Sequence, residues 1–230
     1  MTTETQTNLH CPYCQREFRR ASSLEIHVCE QKRRRQEQDT PAVRLAFHAF
    51  LEFFRVLQGS ARLKSREDFM TSPYYRAFVK WAHYCVNTRA IEPERFLAWL
   101  LTNNHRIDAW ASDSKYEQYL MQHVRQESAE SALARAVESA LDWNERTGNL
   151  DRDYLRYGNH NMLCHAITTG RVTAWVLYNC ESGQALLSAL SPEHLAMVWP
   201  WIDSEYWGQR FGLYPADRAW TQEILQRQGW

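Results

Sequence analysis

Apolar residues recur at helical spacing over most of the chain and seldom alternate as they would along a strand. After Thr40-Pro41, an N-cap followed by proline in the first turn, Val43, Phe47, Phe50, Leu51 and Phe54 share one face as far as Gly59. Ser72-Pro73 repeats the start signal ahead of Tyr74, Phe78, Trp81, Ala82 and Cys85, and Glu92-Pro93 opens a shorter segment with Phe96, Leu97, Trp99 and Leu100 that ends near Asn103-Asn104. From Ser114 to about Asn144 the chain is rich in Ala, Glu and Arg, which predicts one long helix or two joined within residues 126–131. Beyond the turn Thr147-Gly148-Asn149, shorter helices are expected from Asp151 to about Thr168, Thr173 to Asn179, Ser182 to Leu190, Pro192 to Trp199, Asp203 to Phe211 and Pro215 to Gln228.

Composition agrees with an all-α body. Gly and Pro together number 15 of 230 residues, so few positions break a helix, and a turn-rich β-sandwich or barrel is disfavoured. With 44% hydrophobic residues the chain can bury a core, which excludes global disorder. The longest run without Asp, Glu, Lys or Arg, Tyr157 to Gly170, is too short and too polar to span a bilayer, so no membrane segment is expected. The polar start, Met1 to Leu9, carries Glu4 and is not expected to be a secretory signal. A cytoplasmic location follows as an expectation, and with it free thiols or metal ligands instead of disulfides. Of the six cysteines, Cys85, Cys164 and Cys180 sit in apolar helical patterns where a buried thiol is the ordinary outcome.

The other three cysteines precede the helical body. Cys11-Pro-Tyr-Cys14, twelve further residues and His27 reproduce the front three ligand positions of a C2H2 zinc finger, C-x2-C-x12-H. Phe18 and Leu24 fall where that family's miniature core lies, so the segment resembles its C-x3-F-x5-L-x2-H framework. A unit this small cannot fold on apolar burial alone and needs Zn2+ to supply the missing stabilisation. A second His separated from His27 by three to five residues is absent, those positions being Gln31, Lys32 and Arg33, and Cys29 is the substitute, with His10 in reserve. Two residues one apart point about 200° from each other on a helix. Cys29 is therefore expected to mark the end of the finger helix. Four protein ligands, Cys11, Cys14, His27 and Cys29, make the metal structural, with no open position for a reacting water.

Charge is unevenly spread. The formal total is zero, but Cys11 to Arg35 holds seven basic and three acidic residues, a +4 head on a −4 remainder. Such a head suits a phosphate backbone. The candidate contacts are Arg16, Arg19, Arg20, Ser23, Lys32, Arg33, Arg34 and Arg35, and the family's docking mode implies that Arg20, Ser23 and Ile26 face bases. A single finger makes few contacts, and single fingers also serve as protein-docking modules. A charged run such as Lys32 to Arg35 also serves as a solvated helix end or linker.

Ten tryptophans are expected mainly in the core. A platform for unpaired bases would need interleaved cations, and between Glu181 and Phe211 four acids stand against Arg210 alone. His160 and Cys164 can share a helix face, yet no third ligand or orienting acid stands at a clear spacing. The phosphate-loop, H-E-x-x-H and G-x-S-x-G signatures are missing, and a non-enzymatic chain is expected.

Taken together, CPYC, FRRASSLEIHVCE and the following KRRR ahead of a Trp-rich helical body resemble uncharacterised zinc-finger proteins of tailed bacteriophages. The similarity extends through TSPYYRAFVKWAHYCVNTRAI and TTGRVTAWVLYNC, and implies no assigned activity. The resulting expectation is a small ββα-like finger with a basic tail, residues 1–35, followed by an α-helical domain, 36–230, that can divide near 148. Its expected role is that of a DNA-associated accessory factor whose body holds a protein partner in replication or transcription machinery. The alternative is a docking module on such a complex without direct DNA contact.

Overall fold

Helix starts in this protein are set by short polar caps and by proline, which is tolerated in a first turn because the N–H it lacks would be unpaired there. A computed structural model of the chain describes residues 9–59 and 64–230. The first elements are a minimal antiparallel hairpin, β1 (Leu9–His10) and β2 (Glu17–Phe18), with Leu9 opposite Phe18, then α1 (Ala21–Glu25) and α2 (Glu30–Glu37). Helices α3 (Pro41–Gln58), α4 (Arg66–Thr71), α5 (Tyr75–Thr88) and α6 (Pro93–Thr102) follow, and α7 (Asp113–Gln126) and α8 (Ala129–Thr147) succeed them. The chain then continues through α9 (Tyr154–Tyr157), α10 (His160–Thr168), α11 (Ala174–Leu177), α12 (Glu181–Ala189), α13 (Pro192–Ile202), α14 (Ser204–Leu213) and α15 (Pro215–Gln228). The protein is thus all-α apart from the hairpin. No helix among the described residues is long and apolar enough to cross a membrane. Of the polar start, only Leu9 falls within the described residues.

The chain groups into two compact units, Met1–Lys115 and Tyr116–Trp230. The division falls within α7, and residues 9–35 group with the helices up to Lys115. Gly148, expected as a division point, takes a left-handed φ of 73° and ends α8 inside the second unit.

In the first unit, Thr40 caps α3 by accepting from the N–H of Val43, and Gly59 closes the helix at φ 52°. Val43, Ala46 and Phe50 of α3 are buried, as are Phe78, Trp81 and Cys85 of α5. Phe50 meets Phe78 edge-on at 5.6 Å between centroids, and Trp110 meets both Phe78 and Trp81 edge-on. Ser72-Pro73 forms a turn, so α5 starts at Tyr75. Helix α4 was not expected; its signal is the capping box of Ser65 and Asp68.

In the second unit, Ser128 caps α8, so the 114–144 segment is two helices. The helix expected over 151–168 is broken at Gly158 and Asn159, and Asn159 caps α10. A side chain at position 158 would place its Cβ 2.5 Å from the Tyr154 carbonyl oxygen, which accounts for glycine at that break. The core centres on Trp175, Trp207 and Phe211, and α11 is buried throughout. Between residues 171 and 220, Trp175, Trp201 and Trp207 are buried, whereas Trp199 and Trp220 remain half exposed.

Candidate metal centre

The first cysteine pair is presented by a tight backbone turn. Cys11 N–H donates to the Arg16 carbonyl at 2.9 Å, Gln15 N–H returns to the Cys11 carbonyl at 2.9 Å, and Gln15 adopts a left-handed φ of 60° to allow it. The turn brings Cys11 and Cys14 to one side of the hairpin. Helix α1 then crosses from β2 and stops early: Glu25 is its last residue and Ile26 its C-cap.

That early stop resolves the conflict posed by His27 and Cys29. Neither residue lies on a continuous helix, because His27 sits in the connection after α1 and Cys29 is the extended N-cap of α2, with φ −106° and ψ 164°. The expectation that Cys29 ends the finger helix is corrected accordingly: Cys29 starts the next helix. Its Sγ accepts the N–H of Lys32 at 3.4 Å, and its carbonyl accepts the N–H of Arg33 at 3.0 Å.

Cys11, Cys14, His27 and Cys29 thereby converge, their donor atoms all within 4.8 Å of one another. Around a tetrahedral zinc, with sulfur at ~2.3 Å and nitrogen at ~2.0 Å, two sulfurs stand about 3.7 Å apart and a sulfur and a nitrogen about 3.5 Å. Cys11 Sγ and Cys29 Sγ are 3.9 Å apart, and Cys14 Sγ and His27 Nε2 are 3.3 Å apart. The four side chains could hold one metal ion. His10, the reserve, is not in the cluster.

The thiols of Cys11 and Cys14 do not ionise independently. Burial opposes ionisation of Cys11, but the N–H groups of Cys14 and Tyr13 and the neighbouring thiols of Cys14 and Cys29 hold its pKa below the ordinary value. For Cys14, the Arg16 N–H favours the thiolate, yet burial and the sulfurs of Cys11 and Cys29 win and raise the pKa. A divalent cation at the centre would offset that mutual repulsion.

Little else holds this segment together. Phe18 and Leu24 are half-buried, Phe18 packs against the His27 ring at 4.7 Å between centroids, and among the described residues before α2 only Cys11 is fully buried. A dication held by the four side chains would supply what so small an apolar cluster lacks.

The candidate phosphate contacts separate into two groups. Arg16, Arg19 and Arg20 are exposed and make no ion pair among the described residues; Arg16 lies 5.6 Å from the Phe18 ring. Arg20 is the N-cap of α1, Ser23 is half-buried, and Ile26 is 81% exposed. The second group is paired with other groups of the protein. Lys32 Nζ donates to the His27 carbonyl at 3.3 Å, Arg33 pairs with Glu30 at 2.7 Å, and Arg35 pairs with Glu67 at 3.0 Å. Arg34 is the most enclosed. Its Nε donates to Glu30 at 3.2 Å, a terminal nitrogen donates to the Met70 carbonyl at 2.7 Å, and its guanidinium lies 4.2 Å above the Tyr75 ring. Burial raises the pKa of Glu30, but hydrogen bonds from Arg34 and Arg76 and the charge of Arg33 outweigh it, holding the carboxyl below its ordinary range. The inward use of Arg34 was illegible in the sequence, where KRRR reads only as a charge run.

Elsewhere, Cys164 is buried in α10 while His160 is half-buried and faces His194 edge-on at 6.1 Å. Burial raises the Cys164 thiol, and that of Cys85 to about 12. Among the described residues, the front cluster is the group of His, Cys, Asp and Glu side chains placed to share an ion. No protein-family model, curated protein or solved structure matches the chain.

Proposed function

We propose that the protein is a non-enzymatic accessory factor that associates with DNA through a zinc-stabilised finger while its helical body holds a protein partner in replication or transcription machinery. The observation that carries this reading is the four-donor cluster, its donor atoms all within 4.8 Å of one another, beside three exposed arginines, Arg16, Arg19 and Arg20, that make no ion pair among the described residues. Zinc fits a set of three thiolates and one imidazole, which is soft, four-coordinate and closed. The phosphate-binding surface is smaller than the charge run suggests. Arg34 is committed to the protein, whereas Arg33 and Arg35 hold exposed carboxylate pairs that a phosphate can replace at small cost.

The test is DNA affinity as a function of salt. Affinity should fall as salt rises, and reversing the charge of Arg19 and Arg20 should weaken binding and flatten the slope. Absent or salt-independent binding contradicts the proposal.

One observation favours a second reading, a docking module without DNA contact. Ile26 and Val28 in the finger are 81% and 69% exposed, which suits an apolar protein contact better than a phosphate backbone. A partner recovered by pull-down after complete nuclease digestion and lost when Ile26 and Val28 are both changed to Asp supports this reading, whereas a partner that those changes leave bound sits on the helical body, as the first reading has it.

A further inference from the structure

Helix α2 should not be stable by its own sequence. It is eight residues long, reads EQKRRRQE, and buries no residue. Helices this short are marginal in water, and α2 lacks the apolar face that usually anchors such a segment to a core. It is pinned at its ends instead. At the start, Cys29 provides the cap, its sulfur taking the Lys32 N–H and its carbonyl the Arg33 N–H. Further along, Arg34 inserts between α4 and α5 with its side chain 16% exposed, bonded to the Met70 carbonyl and stacked on the buried Tyr75.

Glu30 joins the two ends. It follows Cys29 directly, and its carboxylate receives Arg34 from within α2 and Arg76 from α5, the latter at 3.4 Å. Exposed ion pairs contribute little each, as at Arg33 and Arg35. Arg34 differs because its fork satisfies a backbone carbonyl and a carboxylate from an enclosed position, where the flat guanidinium also covers an aromatic face. Holding Arg34 therefore fixes α2, and fixing α2 fixes its cap residue.

We infer that Arg34 is a positioning residue for the metal centre: by clamping α2 onto α4 and α5 it holds Cys29 at the ion, so metal affinity and the docking of α2 are coupled. The inference rests on the reading of Cys11, Cys14, His27 and Cys29 as a zinc site. It makes the fourth ligand one that the helical layer delivers, whereas Cys11, Cys14 and His27 come from the finger itself. Groups that orient metal ligands from outside the first layer typically govern affinity by 10- to 100-fold.

The experiment is a double-mutant cycle on the full chain, reading zinc affinity by competition with a chromophoric chelator. Arg34→Ala should weaken zinc binding by about 10-fold or more, and Arg34→Lys, which keeps the charge and loses the fork, should fall between it and the parent. Arg19→Ala, a change to an exposed finger cation, should leave affinity unchanged. In a Cys29→Ser background, Arg34→Ala should have no further effect, since there is no thiolate left to position. An equal loss in both backgrounds would show general destabilisation and overturn the inference, as would an unchanged affinity in Arg34→Ala. If Arg34→Ala does not fold, the same two comparisons are made with Arg34→Lys. Failure of the metal reading has a separate signature, in which the parent chain binds no zinc or Cys29→Ser binds it as tightly as the parent.

Discussion

Cys29 Sγ lies 3.9 Å from Cys11 Sγ, across eighteen residues, and the contact joins the hairpin to the N-cap of a new helix. One sulfur therefore serves as helix cap and candidate metal ligand together. Cys29→Ser retains an oxygen able to cap α2 but removes the soft donor. It should weaken zinc binding about as much as Cys14→Ser, whereas Cys85→Ser, Cys164→Ser and Cys180→Ser should leave it unchanged. Chelator competition on the purified variants checks the ranking, and parent-like affinity in Cys29→Ser contradicts it.

Thiol reactivity should divide the six cysteines in the same way. Burial raises the Cys85 thiol to about 12 and also raises Cys164 and Cys180, so at neutral pH these three are protonated and enclosed. Alkylation of the zinc-loaded chain should be slow throughout. Adding chelator should release Cys11, Cys14 and Cys29 to rapid modification, giving three adducts by mass spectrometry. Labelling of Cys164 ahead of the finger would contradict this.

In the second unit, stability should depend on a buried ion pair. The Glu127 carboxylate, on a side chain 1% exposed, lies 2.5 Å from Arg135, with His123 at 3.8 Å. Arg135→Ala leaves that carboxylate enclosed and should cost ~3–5 kcal/mol, while the paired change Glu127→Leu with Arg135→Met should cost much less. Urea unfolding measures both. A loss below about 1 kcal/mol for the single change would mean that Arg135 contributes no more than an exposed pair.

Two glycines should respond oppositely to alanine. At Gly183 a Cβ would lie 2.5 Å from the Leu177 carbonyl oxygen, and backbone cannot yield as a side chain does, so Gly183→Ala should destabilise by ~1–3 kcal/mol. At Gly208, within α14, nothing lies within 4 Å of the added carbon. Gly208→Ala should stabilise by ~0.4–1 kcal/mol through the unfolded chain. Thermal melts of the two variants give the comparison.

The helices were legible wherever a cap met an apolar period, as with Thr40-Pro41 ahead of the Val43 and Phe50 face. Helix α4 is hard to see in the sequence because six residues show too little periodicity, although Ser65 and Asp68 carry its cap. The break at Gly158 depends on how closely Tyr154 and Leu163 approach it, which no local pattern reveals. At the metal centre, spacing identified Cys11, Cys14 and His27, and elimination pointed to Cys29. Its place at the start of a second helix could not be read, since an eight-residue polar run carries no sign of what anchors it. Arg34 shows the limit most clearly: its partners, Met70 and Tyr75, are remote in sequence, and only folding makes one of four consecutive cations inward-facing.

The central claim is that four named side chains hold one zinc ion. Metal analysis of protein purified without chelator, combined with zinc-edge absorption spectroscopy, tests it most directly. The account predicts one zinc per chain with three sulfurs at ~2.3 Å and one nitrogen at ~2.0 Å, the sulfur count falling to two in Cys29→Ser. Protein free of zinc, or a parent site with two sulfurs and two nitrogens, would contradict it.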